Sequence, residues 1–130
     1  MDRRSVLVTS IVGTAIGMAA CAMPPAQPPA GAMKMSVLFP APTDPVAFDK
    51  YYFEQHMPLT RDVKGVRFET SKVQPGASGA APAFYRLTEL YFESPEHMRA
   101  ALSSPELKKV FQDAQKFQPP GTTVLISRIE

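Results

Sequence analysis

The chain has 130 residues, 45% of them hydrophobic and 20% charged, which is enough length and apolar content for one domain with a sizeable core. Fourteen basic and twelve acidic residues leave a net charge of +2, and no basic cluster exceeds the Lys108-Lys109 pair, so nucleic acid is excluded as an expected partner. The single cysteine, Cys21, removes disulfides from the fold.

Residues 1–21 read as an export segment. Arg3 and Arg4 precede an uncharged run from Ser5 to Ala20 that is too short and too mild to span a bilayer stably. The R-R-S-V-L-V start resembles a twin-arginine signal. Met18-Ala19-Ala20-Cys21 resembles a lipobox, which would place a lipid on Cys21 and make the protein a membrane-anchored lipoprotein. Cleavage at an ordinary A-x-A site, Ala20-Cys21-Ala22, would instead release a soluble periplasmic protein. Residues 22–32, rich in Pro and Ala, form an extended tether, and the domain proper occupies residues 33–130.

Within the domain, Met33 to Phe39 alternates as a strand, with Ser36 on the side opposite Met35 and Val37. Asp44 and Pro45 then start a helix, as a capping oxygen and a first-turn proline. Phe48, Tyr52 and His56 recur every fourth residue, which stacks a phenol and an imidazole along one apolar stripe. Pro58 removes a donor and disfavours helix at Met57, so His56 is expected as the last helical residue before a break or kink. A helix C-terminus would favour the imidazolium and burial the neutral ring, and the sequence leaves that balance open. Either outcome keeps His56 near neutrality, where proton transfer is most useful; a satisfied core histidine is the alternative.

Leu59 to Val63 extends the helix and Gly65 closes it, before a strand from Val66 to Val73. Residues 74–82, with Pro75, Gly76, Gly79 and Pro82 among them, connect over the surface to a strand from Ala83 to Glu93. Its even residues, Phe84 to Phe92, are expected to pack on helices, and the odd set, Tyr85, Glu89 and Tyr91, to face the other way. Ser94-Pro95-Glu96 and Ser104-Pro105-Glu106 open two helices, of which the second, with Leu107, Val110, Phe111, Ala114 and Phe117, reads as a core-packing helix and little else. His97 falls in a first helical turn and is expected to be solvated. A last strand spans Thr122 to Ile129.

The order β, α, β, β, α, β is the ferredoxin-like α+β arrangement, an antiparallel sheet with helices on one face. The uncovered face asks for a partner, and a second copy about a two-fold axis would supply it, enclosing a cavity between two sheets. A small organic substrate is expected there.

Tyr51 to Leu59 (Y-Y-F-E-Q-H-M-P-L), Met35 to Pro40 (M-S-V-L-F-P), Phe84 to Ser94 and Thr123 to Ile126 together resemble the EthD domain family. The resemblance implies a dimeric α/β barrel, a small-molecule role as a reductase or an accessory protein, and Tyr51, Tyr52 and His56 as motif residues. Related domains resemble cofactor-free dehydratases or decarboxylases, and the wider barrel superfamily includes quinol oxygenases, muconolactone isomerases and haem-handling enzymes. No G-x-G-x-x-G, no redox cysteine in the mature chain and no metal-ligand spacing is present, so a reductase would borrow haem, flavin or an electron partner. The competing reading is a cofactor-free lyase or isomerase with His56, Tyr52 and Glu89 as catalytic groups and Tyr51, Tyr85, Tyr91 and Ser36 binding substrate. A non-catalytic exported binding protein is the third.

Overall fold

The structure, a computed structural model, describes residues 26–130. The export segment, Cys21 and the first tether residues lie outside them. Four strands form one antiparallel sheet: β1 (Met33–Phe39), β2 (Arg67–Lys72), β3 (Arg86–Phe92) and β4 (Thr123–Arg128), in the order β2-β3-β1-β4. Between β1 and β2 runs α1 (Pro45–Tyr51), which continues into shorter helical turns; between β3 and β4 lie α3 (Pro95–Ser103) and α4 (Pro105–Ala114). This is the ferredoxin-like topology, with all helices on one face.

Local signals account for most boundaries. Asp44 accepts from the Ala47 N–H at 3.0 Å, and Ser94 and Ser104 do the same for His97 and Leu107 at 3.0 and 3.3 Å. The strand expected from Ala83 begins three residues later, because Tyr85 is tied to its neighbours by isolated bonds, donating to Phe39 O at 2.7 Å and accepting from the Val73 N–H at 2.9 Å. Gly31 and Ala32, read as the end of the tether, bond to Ile129 at 2.8 and 2.9 Å, and Ala32 is buried.

Pro58 does not break the helix, contrary to expectation. α1 passes into a π turn over Tyr52–His56, in which the Met57 N–H reaches back five residues to Tyr52 O. A further α turn, α2 (Met57–Leu59), and a 3₁₀ turn (Thr60–Asp62) follow. The carbonyl that Pro58 cannot serve in an α ladder belongs to the exposed residue Glu54, on the solvent side of the helix, where a missing donor costs little. His56 is therefore held inside a continuous helical run rather than at its end. Gly65, at φ +73°, terminates the run in the left-handed conformation. His97 is also not free in solvent: its Nδ1 accepts from the Glu93 N–H at 3.1 Å and its ring lies edge-on to Phe92.

β3 alternates as the sequence implies, with Arg86, Thr88, Leu90 and Phe92 buried towards the helices. Leu90 and Phe92 join Met35, Val63, Met98, Leu107 and Val110 in the main core, each worth about 1.5–3 kcal/mol on burial. Phe39, Phe48 and Tyr52, flanked by Phe117, form an aromatic second cluster. The other sheet face carries Lys34, Ser36, Arg67, Glu69, Glu89 and Tyr91. β4 is bare on both faces: Val124, Leu125 and Ile126 are 54%, 53% and 55% exposed.

Candidate active site

The π turn sends Tyr52 and His56 inward beneath the sheet, their ring centroids 5.6 Å apart, and Phe117 meets the imidazole edge-on at 4.8 Å. Such turns recur at functional positions because they aim side chains that a regular ladder would space differently. His56 is 5% exposed, and its Nδ1 lies 2.8 Å from Asp113 Oδ2 on α4. Asp113 is itself buried, and its other oxygen accepts from Tyr51 Oη at 2.8 Å, with Lys116 Nζ 3.4 Å away.

Burial lowers the His56 pKa below its ordinary 6.5, and the bond and charge of Asp113 only partly oppose it. Burial pushes the Asp113 carboxyl up, but hydrogen bonds from His56, Tyr51 and Lys116 outweigh it and hold the group ionised below its ordinary 3.8. The pair at neutral pH is thus a neutral imidazole giving its Nδ1 proton to a carboxylate. Nε2 has no hydrogen-bond partner among the described residues. It is not sealed off either, since the one fully buried, unpaired side-chain polar atom among them is Arg86 Nε.

A cavity of about 270 Å³ lies between the sheet and the helices, and His56 forms part of its wall. Met35, Val37, Leu90, Val110 and Phe111 make it apolar, Thr60 and Thr88 add hydroxyls, and the exposed Gln115 and Gln118 stand at its rim. Ligand pockets of about 300 Å³ upward hold drug-sized molecules. Among the described residues no group of three or more His, Cys, Asp or Glu side chains could hold a metal ion.

The expected site residues separate into three places. His56 alone among them lines the cavity, which lies within one chain rather than between two sheets. Tyr52 is fully buried and spends its hydroxyl on Thr70 and Thr88 at 3.0 and 2.6 Å. Tyr51 supports Asp113 instead of reaching the cavity. Tyr85 packs on Phe48 and donates to Asp49 Oδ2 at 2.7 Å, outside the cavity. Glu89, Tyr91 and Ser36 sit together on the opposite sheet face: Glu89 meets Lys34 at 3.0 Å, Tyr91 Oη at 3.1 Å and Ser36 Oγ at 3.5 Å. Glu89 therefore cannot share a substrate with His56 in one chain.

Asp113 and Thr88 were missed. Asp113 stands three residues after Val110 and four before Phe117, an acid in the buried stripe of α4, and that misplacement was the available signal. Thr88 differs from its buried neighbours only in its hydroxyl.

Residues 40–120 match the EthD domain. An uncharacterised 11.0 kDa protein of Rhodococcus erythropolis, from the thcB–thcC intergenic region, is 34% identical over 95 residues, which cover 72% of this chain and 91% of that one. The crystal structure of an ethyl tert-butyl ether d (EthD) family protein from Bacillus halodurans aligns with a TM-score of 0.69 at 31% identity, over 76% of this chain and 99% of that one. Hydroxynitrile lyase from Passiflora edulis has a TM-score of 0.63 over 78% and 96% of the two chains, and at 13% identity it is a likeness of fold alone.

Proposed function

The chain belongs to the EthD domain family, and from that premise we propose that it is a cofactor-free lyase or isomerase acting on a small organic molecule in the sheet–helix cavity. The observation that carries this reading is the His56–Asp113 pair at 2.8 Å with Nε2 left open at an apolar wall. Nε2 takes a proton from the substrate, and the imidazolium so formed is stabilised by Asp113. Tyr51 and Lys116 keep that carboxylate ionised and in position. The same nitrogen returns the proton to the product. In an apolar cavity such general acid–base transfer contributes roughly 10²–10⁴-fold. The oxidoreductase reading of the family label has less behind it, because none of the side chains at the cavity wall changes oxidation state readily.

The test is a panel of small aromatic and aliphatic hydroxy and carbonyl compounds followed by NMR in deuterated buffer, reading elimination or solvent-proton exchange. His56→Gln lowers the rate at least about 10²-fold while a bound compound still enters the cavity. An unchanged rate in His56→Gln overturns the proposal. Binding of a compound with no turnover of any in the panel overturns it as well and favours a non-catalytic binding protein.

The proposal extends to assembly and location. A second copy covers β4, whose Val124, Leu125 and Ile126 are half-exposed. The chain is exported and carries a lipid on Cys21; labelled palmitate that still enters Cys21→Ser would remove that part.

A further inference from the structure

The cavity's buried polar groups have already given away their hydrogens. Thr60 Oγ1 donates to Met57 O at 2.7 Å. His56 gives its Nδ1 proton to Asp113. Tyr52 Oη donates to Thr70 Oγ1 at 3.0 Å, an oxygen that also accepts from the buried Arg86 Nη1 at 3.4 Å. Either oxygen can donate across the 2.6 Å contact between Tyr52 and Thr88; assigning the single Tyr52 hydrogen to Thr70 gives that contact the Thr88 hydrogen. Thr60, Thr88 and His56 therefore present only lone pairs to the space between them. Side-chain donors are confined to Gln115 and Gln118 at the exposed rim.

We infer that the cavity selects a small, mostly apolar molecule that brings its own hydrogen-bond donors, an alcohol, phenol or enol rather than the matching ketone or ether. An O–H group finds Thr88 Oγ1 or His56 Nε2 as an acceptor. A carbonyl oxygen placed at the same point faces other lone pairs and forfeits the bonds it had in water. This rests on the proton-transfer reading above and narrows it: the proton His56 meets is one on oxygen.

Binding without turnover tests it. The purified protein, labelled with ¹³C on its methionine methyls, is titrated separately with 1-phenylethanol, acetophenone and cumene, which are close in size and offer a donor with an acceptor, an acceptor alone, or neither. Met35 and Met57 line the cavity and report occupancy. 1-Phenylethanol binds about tenfold more tightly than acetophenone. Thr88→Val shrinks that ratio about three- to tenfold with cumene little changed. Tyr52→Phe, which returns the Thr88 hydrogen to the cavity, moves the preference towards acetophenone, a shift that mere loosening of the fold would not produce. Acetophenone binding as tightly as the alcohol in the wild type, a ratio indifferent to both variants, or no response from either methionine overturns the inference. His56→Gln, whose amide brings a donor of its own, is a separate arm read by turnover alone: intact turnover sinks only the proton-transfer reading and leaves the wild-type alcohol preference to decide the inference.

Discussion

Asp113 of α4 meets His56 at 2.8 Å through a separation of 57 residues, so the imidazole and the carboxylate that orients it come from the two different crossovers of the fold. Neither crossover carries a complete site. Burial keeps the ring neutral and the acidic partner fixes its tautomer, with the Nδ1 proton engaged and Nε2 left as a base.

The first prediction concerns pH. The folded state lowers the His56 pKa below 6.5, so between those two values the unfolded chain binds more protons than the folded one. The contribution of His56 to stability is whole above pH 6.5 and is lost as pH falls through the folded value. Asp113, also depressed, adds a second loss as pH drops below 3.8 and through its own folded value. NMR titration of the His56 ring should give a midpoint under 6.5, lower still in Asp113→Asn, which removes the influences that raise it. A midpoint at or above 6.5 contradicts the burial argument.

Asp113→Asn should cost about 1–3 kcal/mol in urea denaturation. The carboxylate accepts from both His56 Nδ1 and Tyr51 Oη, whereas an amide has one oxygen and must turn its NH₂ towards one of the two donors. Tyr51→Phe in that background should then add little, because the acceptor it used is already compromised. Full additivity of the two would show that they act on separate partners.

The fold was legible because its signals are local. Asp44-Pro45, Ser94-Pro95 and Ser104-Pro105 mark helix starts within three residues of the groups they satisfy, and the parity of β3 sorted Thr88 and Leu90 from Glu89 and Tyr91. His56 was legible as a polar group on an aromatic stripe. Its carboxylate was not, since pairing across 57 residues leaves no mark in spacing. Pro58 misled for a related reason: its effect depends on whether the preceding turn is wound as α or π, and a missing donor is cheap where the orphaned carbonyl reaches water. Grouping Glu89 with His56 failed because a sheet stands between them.

Tyr91 offers a test of the opposite face. Its hydroxyl is pushed up to about 12, first by burial, then by the bond to and charge of Glu89 and by Glu69, with Arg67 opposing. The difference between the alkaline titrations of the wild type and Tyr91→Phe should isolate a phenolate with its midpoint at about 12. Glu89→Gln should bring that midpoint down towards 10, and an unmoved midpoint would rule out Glu89 as a cause.

Coverage of β4 by a second copy predicts a melting temperature that rises with protein concentration. Leu125→Lys should abolish the dependence and shift sedimentation to the monomer. Concentration-independent melting with a monomeric wild type would leave β4 without its proposed cover.

The π turn at Tyr52–His56 has a genetic corollary. A π turn is a helix holding one residue more than its regular winding, so loss of a single codon within it would restore an ordinary ladder at little cost to the fold. The turns on either side would keep their register, and the shift would fall on the residues inside the turn, re-aiming the imidazole relative to its carboxylate. Length variants in this stretch would yield proteins that fold and do nothing.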